Sequence, residues 1–141
     1  KPLEIVPPGW RVSMLASAMG RCWLAFCPDS EREEIVARLR HSDWPYDRPA
    51  RSPEQLDRII GETCARGYGA RMKGYVDATG HSRRHVSALS VPVFSEGRIA
   101  ACLNMVWNNR AVADHEFVAR HLAAMQQTAA DIGKRLDELG D

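Results

Sequence analysis

The most regular pattern of hydrophobic positions lies in residues 87–107, where two apolar segments flank the polar stretch Ser-Glu-Gly-Arg. Both segments are rich in Val, Leu, Ile and Phe, and Gly97 can adopt a positive φ, so the sequence predicts a β-hairpin. Side chains alternate between the faces of a strand, and one face of the second strand carries Ala100, Cys102, Asn104 and Val106. Neither face is predicted to be solvated. We expect the Asn104 amide to meet protein groups or a ligand, because an unpaired buried amide costs about 1–3 kcal/mol.

Two helices are predicted near the start of the chain. Ser17 is the expected N-cap of the first, an almost wholly apolar helix that ends at Cys27 before a proline. Ser30 and Glu33 have the spacing of a capping box, in which each side chain bonds the backbone amide of the other residue. The second helix is therefore expected to be capped by Ser30 and to bury one stripe of side chains.

A third helix has the clearest start signal in the sequence, after a polar stretch at residues 42–51. Ser52 is the expected N-cap, a proline occupies the first turn, and Gln55 completes the capping box. Gly67 supplies a left-handed stop. The segment 68–76 is weakly strand-like, and residues 77–81 are predicted to form a turn or loop.

A long helix is predicted after the hairpin, capped near Asp114. Its apolar residues are spaced alternately four and three apart, as in an a/d seam. Such a helix either lies on the sheet of its own chain, which is the commoner case, or pairs with a second copy. Helices gathered on an antiparallel sheet give an α+β fold, with a single domain spanning residues 1–141.

Composition narrows the classes of protein to consider. The chain has 141 residues, 45% of them hydrophobic, and a formal net charge of +1, which offers no general attraction for nucleic acid or an anionic membrane. Its apolar runs fall short of the about 20 residues that a membrane helix needs, and no secretory leader is recognised. We expect a cytoplasmic protein that makes no membrane contact. The four cysteines form no CxxC pair and are expected to be buried free thiols.

The sequence shows no constellation of catalytic or metal-binding residues. His81 and His85 have the spacing of metal ligands on a helix, but no Cys or carboxylate cluster stands near them. Neither GxSxG nor a Walker or dinucleotide-binding motif occurs. We therefore expect no metal and no cofactor. The enzymatic alternative is a thiol catalyst that uses Cys64 or Cys102.

The start of the first helix is the feature that suggests a ligand. Its small side chains are Ala16, Ser17 and Ala18. The amides of a helix start attract anions, and small side chains would let a carboxylate approach them; alternatively, these residues merely let the helix pack tightly on the sheet. The strand residues that could face the same cavity are Ala88, Asn104 and Val106. Ser87 points the other way on a regular strand, so only a bulge would include it.

Three segments carry a family resemblance: MLASAMGRCWLAFCP, LDRIIGETCARGYGAR and LSVPVFSEGRIAACLNMVW. Together they resemble the effector-binding domain of the IclR family of bacterial transcriptional regulators. The resemblance implies a GAF-like fold, assembly as homodimers or tetramers, and a change in promoter activity when a small metabolite binds. It also implies that a winged helix-turn-helix domain, absent from this chain and placed before Lys1, makes the contacts with DNA.

Carried over residue by residue, the resemblance places ligand contacts at Ala18, Met19, Ala88, Asn104 and Val106. Ala88 stands where many members have cysteine, and Asn104 with Val106 stands where serines are common, which implies a less polar, roomier pocket. The LAFC and CLNMVW segments are similar to the branch that regulates aromatic-acid catabolism. Arg71 or Arg84 is then expected to pair with the carboxylate of the ligand.

Taken together, the sequence predicts a sensing domain that is not an enzyme and whose effector is a small, aromatic carboxylic acid. The expected ligand contacts are Ser17, Ala18, Met19, Arg71, Ser87, Ala88, Asn104 and Val106. Binding would act by favouring one arrangement of the subunits. A pure dimerisation module built on the last helix is a further alternative.

Overall fold

The computed structural model describes residues 11–76 and 85–140, which form helices packed on an antiparallel sheet. The elements are α1 (Ala18–Phe26), α2 (Asp29–Arg40), a 3-10 helix (Pro45–Arg51), α3 (Pro53–Arg66), β1 (Gly69–Ala70), β2 (Val86–Ser95), β3 (Arg98–Asn108) and α4 (Asp114–Leu139). The prediction of an α+β fold with a long C-terminal helix is confirmed. The predicted turn at residues 77–81 and the side chains of His81 and Arg84 lie outside the described residues.

β2 is the central strand of the described sheet and pairs antiparallel with β1 on one side and β3 on the other. The predicted hairpin is confirmed. Glu96 and Gly97 connect its strands with φ angles of 52° and 77°, and two successive positive φ angles are typical of a type I′ turn. The register shifts between Val93 and Phe94, so the hairpin carries a bulge next to its turn.

The two faces of the sheet pack against different helices. On one face, Leu89, Val91 and Val93 form a core with buried side chains of α4. Trp107 of β3 stacks on Phe117 of α4, with ring centroids 3.9 Å apart. The other face packs against α1. We call these the α4 face and the α1 face. A second core lies beneath α2, α3 and the 3-10 helix and consists of Leu15, Leu24, Val36, Ala50 and Leu56.

β3 is less covered than its apolar sequence suggests. Met105 is 37% exposed and Val106 is 55% exposed. Within residues 11–76 and 85–140, β2 is the only strand that pairs with β3. The expectation that neither face of this strand is solvated is wrong for these side chains, because α4 packs mainly on β2 and β3 lies at the edge of the described sheet.

The helix ends test the capping predictions directly. Ser17 and Ser52 are both N-caps whose hydroxyls accept from the amide three residues later, as predicted. Gly67 ends α3 with a φ of 83°, which confirms the left-handed stop. Ser30 does not cap α2, which begins at Asp29 with Pro28 in the N-cap position. Proline has a fixed φ and no amide hydrogen that would need a partner. Pro28 therefore allows α2 to begin shortly after the end of α1.

Two further predictions from the sequence are corrected by contacts between distant residues. The predicted start of α4 near Asp114 is confirmed, but Asp114 is the first helical residue and does not cap the helix. The N-cap position is Ala113, and the Asp114 carboxylate accepts from the Ser87 hydroxyl. The strand-like segment 68–76 forms a strand only at Gly69–Ala70. The structure also adds the 3-10 helix, which the sequence did not predict.

Gly133 in α4 and Gly61 in α3 are interior helix glycines in opposite surroundings. A Cβ at Gly133 would collide with the carbonyl oxygen of Phe94, whereas a Cβ at Gly61 would have no neighbour within 4 Å. We expect Gly133→Ala to lower the free energy of unfolding by about 1–3 kcal/mol through overpacking. Gly61→Ala should raise it by up to about 1 kcal/mol through helix propensity. Urea unfolding followed by circular dichroism measures both, and shifts of the same sign would contradict the close contact of α4 with β2.

Candidate functional site

The start of α1 is held by a network of buried serines. Ser17 Oγ accepts from the Gly20 amide at 3.0 Å and donates to the Ser13 carbonyl at 2.6 Å. Ser13 Oγ accepts from the Ala16 amide at 3.0 Å, and the Ser13 amide donates to the Tyr75 hydroxyl at 2.9 Å. The Ser17 hydroxyl is thus fully engaged in fixing the helix start.

One residue of α1 and one residue after β1 anchor the turn that precedes α1. Arg21 Nε donates to the Leu15 carbonyl at 2.7 Å, and the Met72 amide donates to the Ala16 carbonyl at 2.9 Å. Burial, followed by the charge of Arg66, lowers the pKa of Arg21. An arginine keeps its charge despite such a shift, so its hydrogen bond to the Leu15 carbonyl is charge-assisted.

The strand register brings several predicted ligand contacts together on the α1 face. Ala88 pairs with Val106, and Ser90 pairs with Asn104. Cys102, two residues from Asn104 and therefore on the same face, places its Sγ 3.7 Å from the Met19 carbonyl of α1. These side chains consequently lie near the first turns of α1.

Two buried polar atoms lie on the α1 face, Asn104 Oδ1 and Ser90 Oγ. Asn104 Oδ1 has no hydrogen-bond partner among the described residues, whereas the Ser90 hydroxyl lies beside the thiols of Cys22 and Cys102. Asp47 and Trp107 also carry such atoms, but they lie in the 3-10 helix and on the α4 face. Ser90 is not among the predicted contacts, although the alternation that places Asn104 on this face also places Ser90 there.

Arg71 stands beside Ala88 at the edge of the sheet. Its amide donates to the Ala88 carbonyl at 3.1 Å, next to the start of α1. Its guanidinium donates to the Tyr75 carbonyl at 2.7 Å and lies 4.5 Å from the centre of the Tyr75 ring. Because the Tyr75 hydroxyl bonds the Ser13 amide, one buried tyrosine connects Arg71 with the turn before α1.

Ser87 is separated from Ala88 by the alternation of the strand. Its hydroxyl donates to Asp114 Oδ1 at 2.6 Å and accepts from Asn109 Nδ2 at 3.1 Å. Both partners lie at the start of α4 or just before it. The bulge of β2 occurs near the hairpin turn, several residues away, and does not rotate Ser87 toward the α1 face.

A cavity of about 550 Å³ opens between α1, α2 and β3. Its walls are mainly apolar, with Arg38 as the one charged residue among those that line it, and they include the predicted contacts Ser17 and Met19. Cys102 lies at its β3 side. Ala18, the first residue of α1, is buried and does not line this cavity.

A second cavity, of about 360 Å³, lies at the β1 edge of the sheet near the start of α4. It is lined by Arg71, Ser87 and Ala88 and carries two further cationic side chains, Arg66 and Lys73. Asn104 and Val106 line neither of these two cavities. The predicted contacts therefore surround the start of α1 without sharing one of these two spaces.

Two thiols face each other where α1 crosses the sheet. Cys22 of α1 is fully buried, whereas Cys102 is half-buried. The hydrogen bond with Cys102 and then burial raise the pKa of Cys22. The same hydrogen bond lowers the pKa of Cys102, although burial acts in the opposite direction.

The cysteines are free thiols, as predicted, but Cys64 is exposed on α3 and not buried. Within residues 11–76 and 85–140, no three His, Cys, Asp or Glu side chains are grouped as metal ligands. Among the helices of the same ranges, none combines the length and the hydrophobicity needed to cross a membrane.

Solved structures with a similar fold are transcriptional regulators. A regulator from Rhodococcus sp. RHA1 has 19% sequence identity and a TM-score of 0.70, covering 96% of this chain and 52% of that protein. The chain has the fold of these regulators. The IclR protein of Thermotoga maritima has 20% sequence identity and a TM-score of 0.67, and the match covers 97% of this chain and 53% of the Thermotoga protein. The C-terminal domain of the Escherichia coli regulator KdgR has 20% sequence identity and a TM-score of 0.63, and the match covers 88% of this chain and 71% of that domain.

The chain thus spans about half the length of the first two of these structures and a larger share of the separate C-terminal domain. No protein-family model matches the sequence. The similarity extends over α1, the sheet and α4, because it covers nearly the whole chain.

Ser17 and Ser30 provide a matched test of the helix start. Ser17→Ala removes the acceptor of the Gly20 amide and the donor to the Ser13 carbonyl, both buried. We expect it to lower the free energy of unfolding by about 1–2 kcal/mol. Ser30→Ala, inside the first turn of α2 with no capping bond, should change it by less than about 0.5 kcal/mol. Chemical denaturation measures both, and equal losses would contradict the assignment of Ser17 as the cap.

Proposed function

We propose that this chain is the effector-sensing domain of an IclR-family transcriptional regulator and that its effector is a small aromatic carboxylic acid. The fold shared with solved regulators and the three family-like segments support the regulatory part of the proposal. The part that concerns the ligand is carried by one observation, the buried Asn104 Oδ1 that has no partner near the first turns of α1.

A buried oxygen without a hydrogen-bond partner lowers the stability of the protein, and a ligand that donates to it can restore that stability. Leaving an acceptor unsatisfied destabilises a protein by about 1–3 kcal/mol, and a bound donor restores that free energy as affinity. Asn104 Oδ1 accepts hydrogen bonds, so the ligand group beside it must donate one. A hydroxyl group on the ring of the acid meets this requirement.

The opposite end of the ligand is placed by charge. Arg71 lies beside Ala88, next to the start of α1, and can offer a charge-assisted hydrogen bond to a carboxylate. Four of the other predicted contacts have small or apolar side chains: Ala18, Ala88, Met19 and Val106. Such a surface suits an aromatic ring. This arrangement uses six of the eight predicted contacts. The Ser17 hydroxyl is engaged in fixing the start of α1, and Ser87 is held by Asp114 on the α4 face, so these two have the weakest support.

Regulation requires that ligand binding distinguish two states of the assembly. We propose a homodimer or tetramer in which DNA is contacted through a winged helix-turn-helix domain outside this chain. The last turns of α4 expose Ile132, Leu136 and Leu139, which supports a role of this helix in assembly. An effector can shift the equilibrium only by its difference in affinity for the two arrangements.

A thermal-shift screen of aromatic and aliphatic carboxylic acids identifies the effector class. At a ligand concentration of about 100 times Kd, binding adds about 2.7 kcal/mol to stability, which raises the unfolding temperature measurably. We expect Asn104→Leu to weaken the best hit at least about fivefold while leaving the ligand-free protein no less stable, since it removes an unpaired oxygen. Isothermal titration measures both affinities.

Gln127→Leu on α4 is the matched control, because it replaces another amide by leucine far from the α1 face. It should leave the affinity unchanged. An Asn104→Leu variant that binds the hit as tightly as the parent would contradict the proposed site. If no acid stabilises the protein, while a charge placed at Leu122 or Ile132 abolishes self-association, the chain is a dimerisation module instead.

The role of Arg71 is tested with the methyl ester of the same acid. Removing the charge of the ligand should weaken binding to the parent about 10- to 100-fold, as expected for loss of a charge-assisted hydrogen bond. Arg71→Gln should weaken binding of the acid by a similar factor and barely affect the ester. If the variant weakens the acid and the ester equally, Arg71 acts on the shape of the protein and not on the carboxylate.

A further inference from the structure

We propose that Cys102 and Cys22 form a redox modification site, in which a hydroperoxide oxidises Cys102 and a disulfide with Cys22 then links β3 to α1. The proposal concerns the two thiols between α1 and the sheet. It does not depend on the identity of the effector.

The geometry of α1 on the sheet brings the two residues together. Cys102 Sγ lies 3.7 Å from the Met19 carbonyl, and Cys22 follows Met19 by about one turn of the same helix. α1 lies close enough to the sheet that a Cβ at Gly69 would lie 2.8 Å from the Cys22 amide nitrogen. Gly69 pairs with Ser90, and Ser90 pairs with Asn104, next but one to Cys102. Cys22 therefore sits over the stretch of sheet that carries Cys102.

The two thiols differ in the way that a reactive and a resolving cysteine differ. Cys102 is half-buried and lines the 550 Å³ cavity between α1, α2 and β3, which gives a small oxidant access to its sulfur. Cys22 is fully buried, beside Cys102. The hydrogen bond from Cys22 lowers the pKa of Cys102, and the thiolate is the form that attacks peroxides.

The reaction balances in two steps. The Cys102 thiolate attacks one peroxide oxygen, the O–O bond breaks, and the leaving alkoxide or hydroxide takes a proton, which leaves a sulfenic acid on Cys102. The sulfur of Cys22 then attacks the sulfenyl sulfur, the S–S bond forms and the S–O bond breaks. The departing hydroxide takes the thiol proton of Cys22 and leaves as water. Both sulfurs are oxidised, and one equivalent of peroxide is reduced.

The other two cysteines have different surroundings. Cys27 is buried at the end of α1, and its thiol donates to the Leu24 carbonyl at 3.6 Å. Burial raises the pKa of Cys27 as it does that of Cys22, but the Cys27 thiol is directed at the Leu24 carbonyl and not at Cys102. Cys64 is exposed on α3, with its thiol 3.4 Å from the Ala25 carbonyl. A selective reaction at Cys102 is therefore distinguishable from general oxidation, which would affect Cys64 first because of its exposure.

The test treats the reduced, purified 141-residue chain with one equivalent of hydrogen peroxide, followed by thiol counting and peptide mapping under non-reducing conditions. We expect two of the four thiols to be lost, a peptide cross-linked between Cys22 and Cys102, and full recovery with dithiothreitol. Cys64→Ser is the matched control and should still form the cross-link. Cys102→Ser should keep its remaining thiols, and Cys22→Ala should accumulate a sulfenic acid on Cys102 that dimedone traps.

Several outcomes would overturn the proposal. They are a cross-link through Cys64, a disulfide between two chains, oxidation of Cys102 to the sulfinic acid while Cys22 stays reduced, and no loss of thiols at all. Cys22 is fully buried, so its variants are checked by their unfolding transitions. The peptide map of the unsubstituted protein decides the question even if a variant fails to fold.

Discussion

The direct contact between α1 and β1 is the constraint on which the α1 face depends. Any side chain at Gly69 would collide with the carbonyl oxygen of Ala18 and crowd the amide of Cys22, so only glycine permits this spacing. Because the helix lies so close, it seals Ser90 from solvent and leaves Asn104 Oδ1 buried near its first turns. The polar atoms of the sheet are significant only because α1 excludes water from them.

The parts of the fold that could be predicted from sequence are those decided within a few residues. The caps at Ser17 and Ser52 bond amides three residues away, and Gly97 turns a hairpin whose strands are adjacent in sequence. One failure is local, because Pro28 and not Ser30 occupies the N-cap position of α2. The other failures concern partners that are distant along the chain. Asp114 is drawn to Ser87, 27 residues earlier, and the length of β1 is set by its pairing with β2. Capping statistics contain no information about such competitors.

In the candidate site too, the local relations could be predicted and those between distant elements could not. Alternation along β3 correctly grouped Asn104 with Val106, and the hairpin register then placed Ala88 opposite Val106. The sequence could not show that Ser17 and Arg71 line different cavities, because those spaces are shaped by α2, by α4 and by the edge of the sheet. Ser90 was not predicted, although it lies two residues from Ala88 and alternation places both on one face. The sequence does not show that α1 covers its hydroxyl.

The proposed ligand contact and the proposed disulfide act on the same short helix. α1 has only nine residues, its first turn lies near Asn104, and its buried residue Leu24 belongs to the core beneath α2 and α3. Closely packed elements do not deform continuously; they change between discrete arrangements. A small displacement of α1 against the sheet would therefore reach α2 and α3 through Leu24. For this reason, we regard the position of α1, and not the shape of any single cavity, as the variable that both an effector and an oxidant would control.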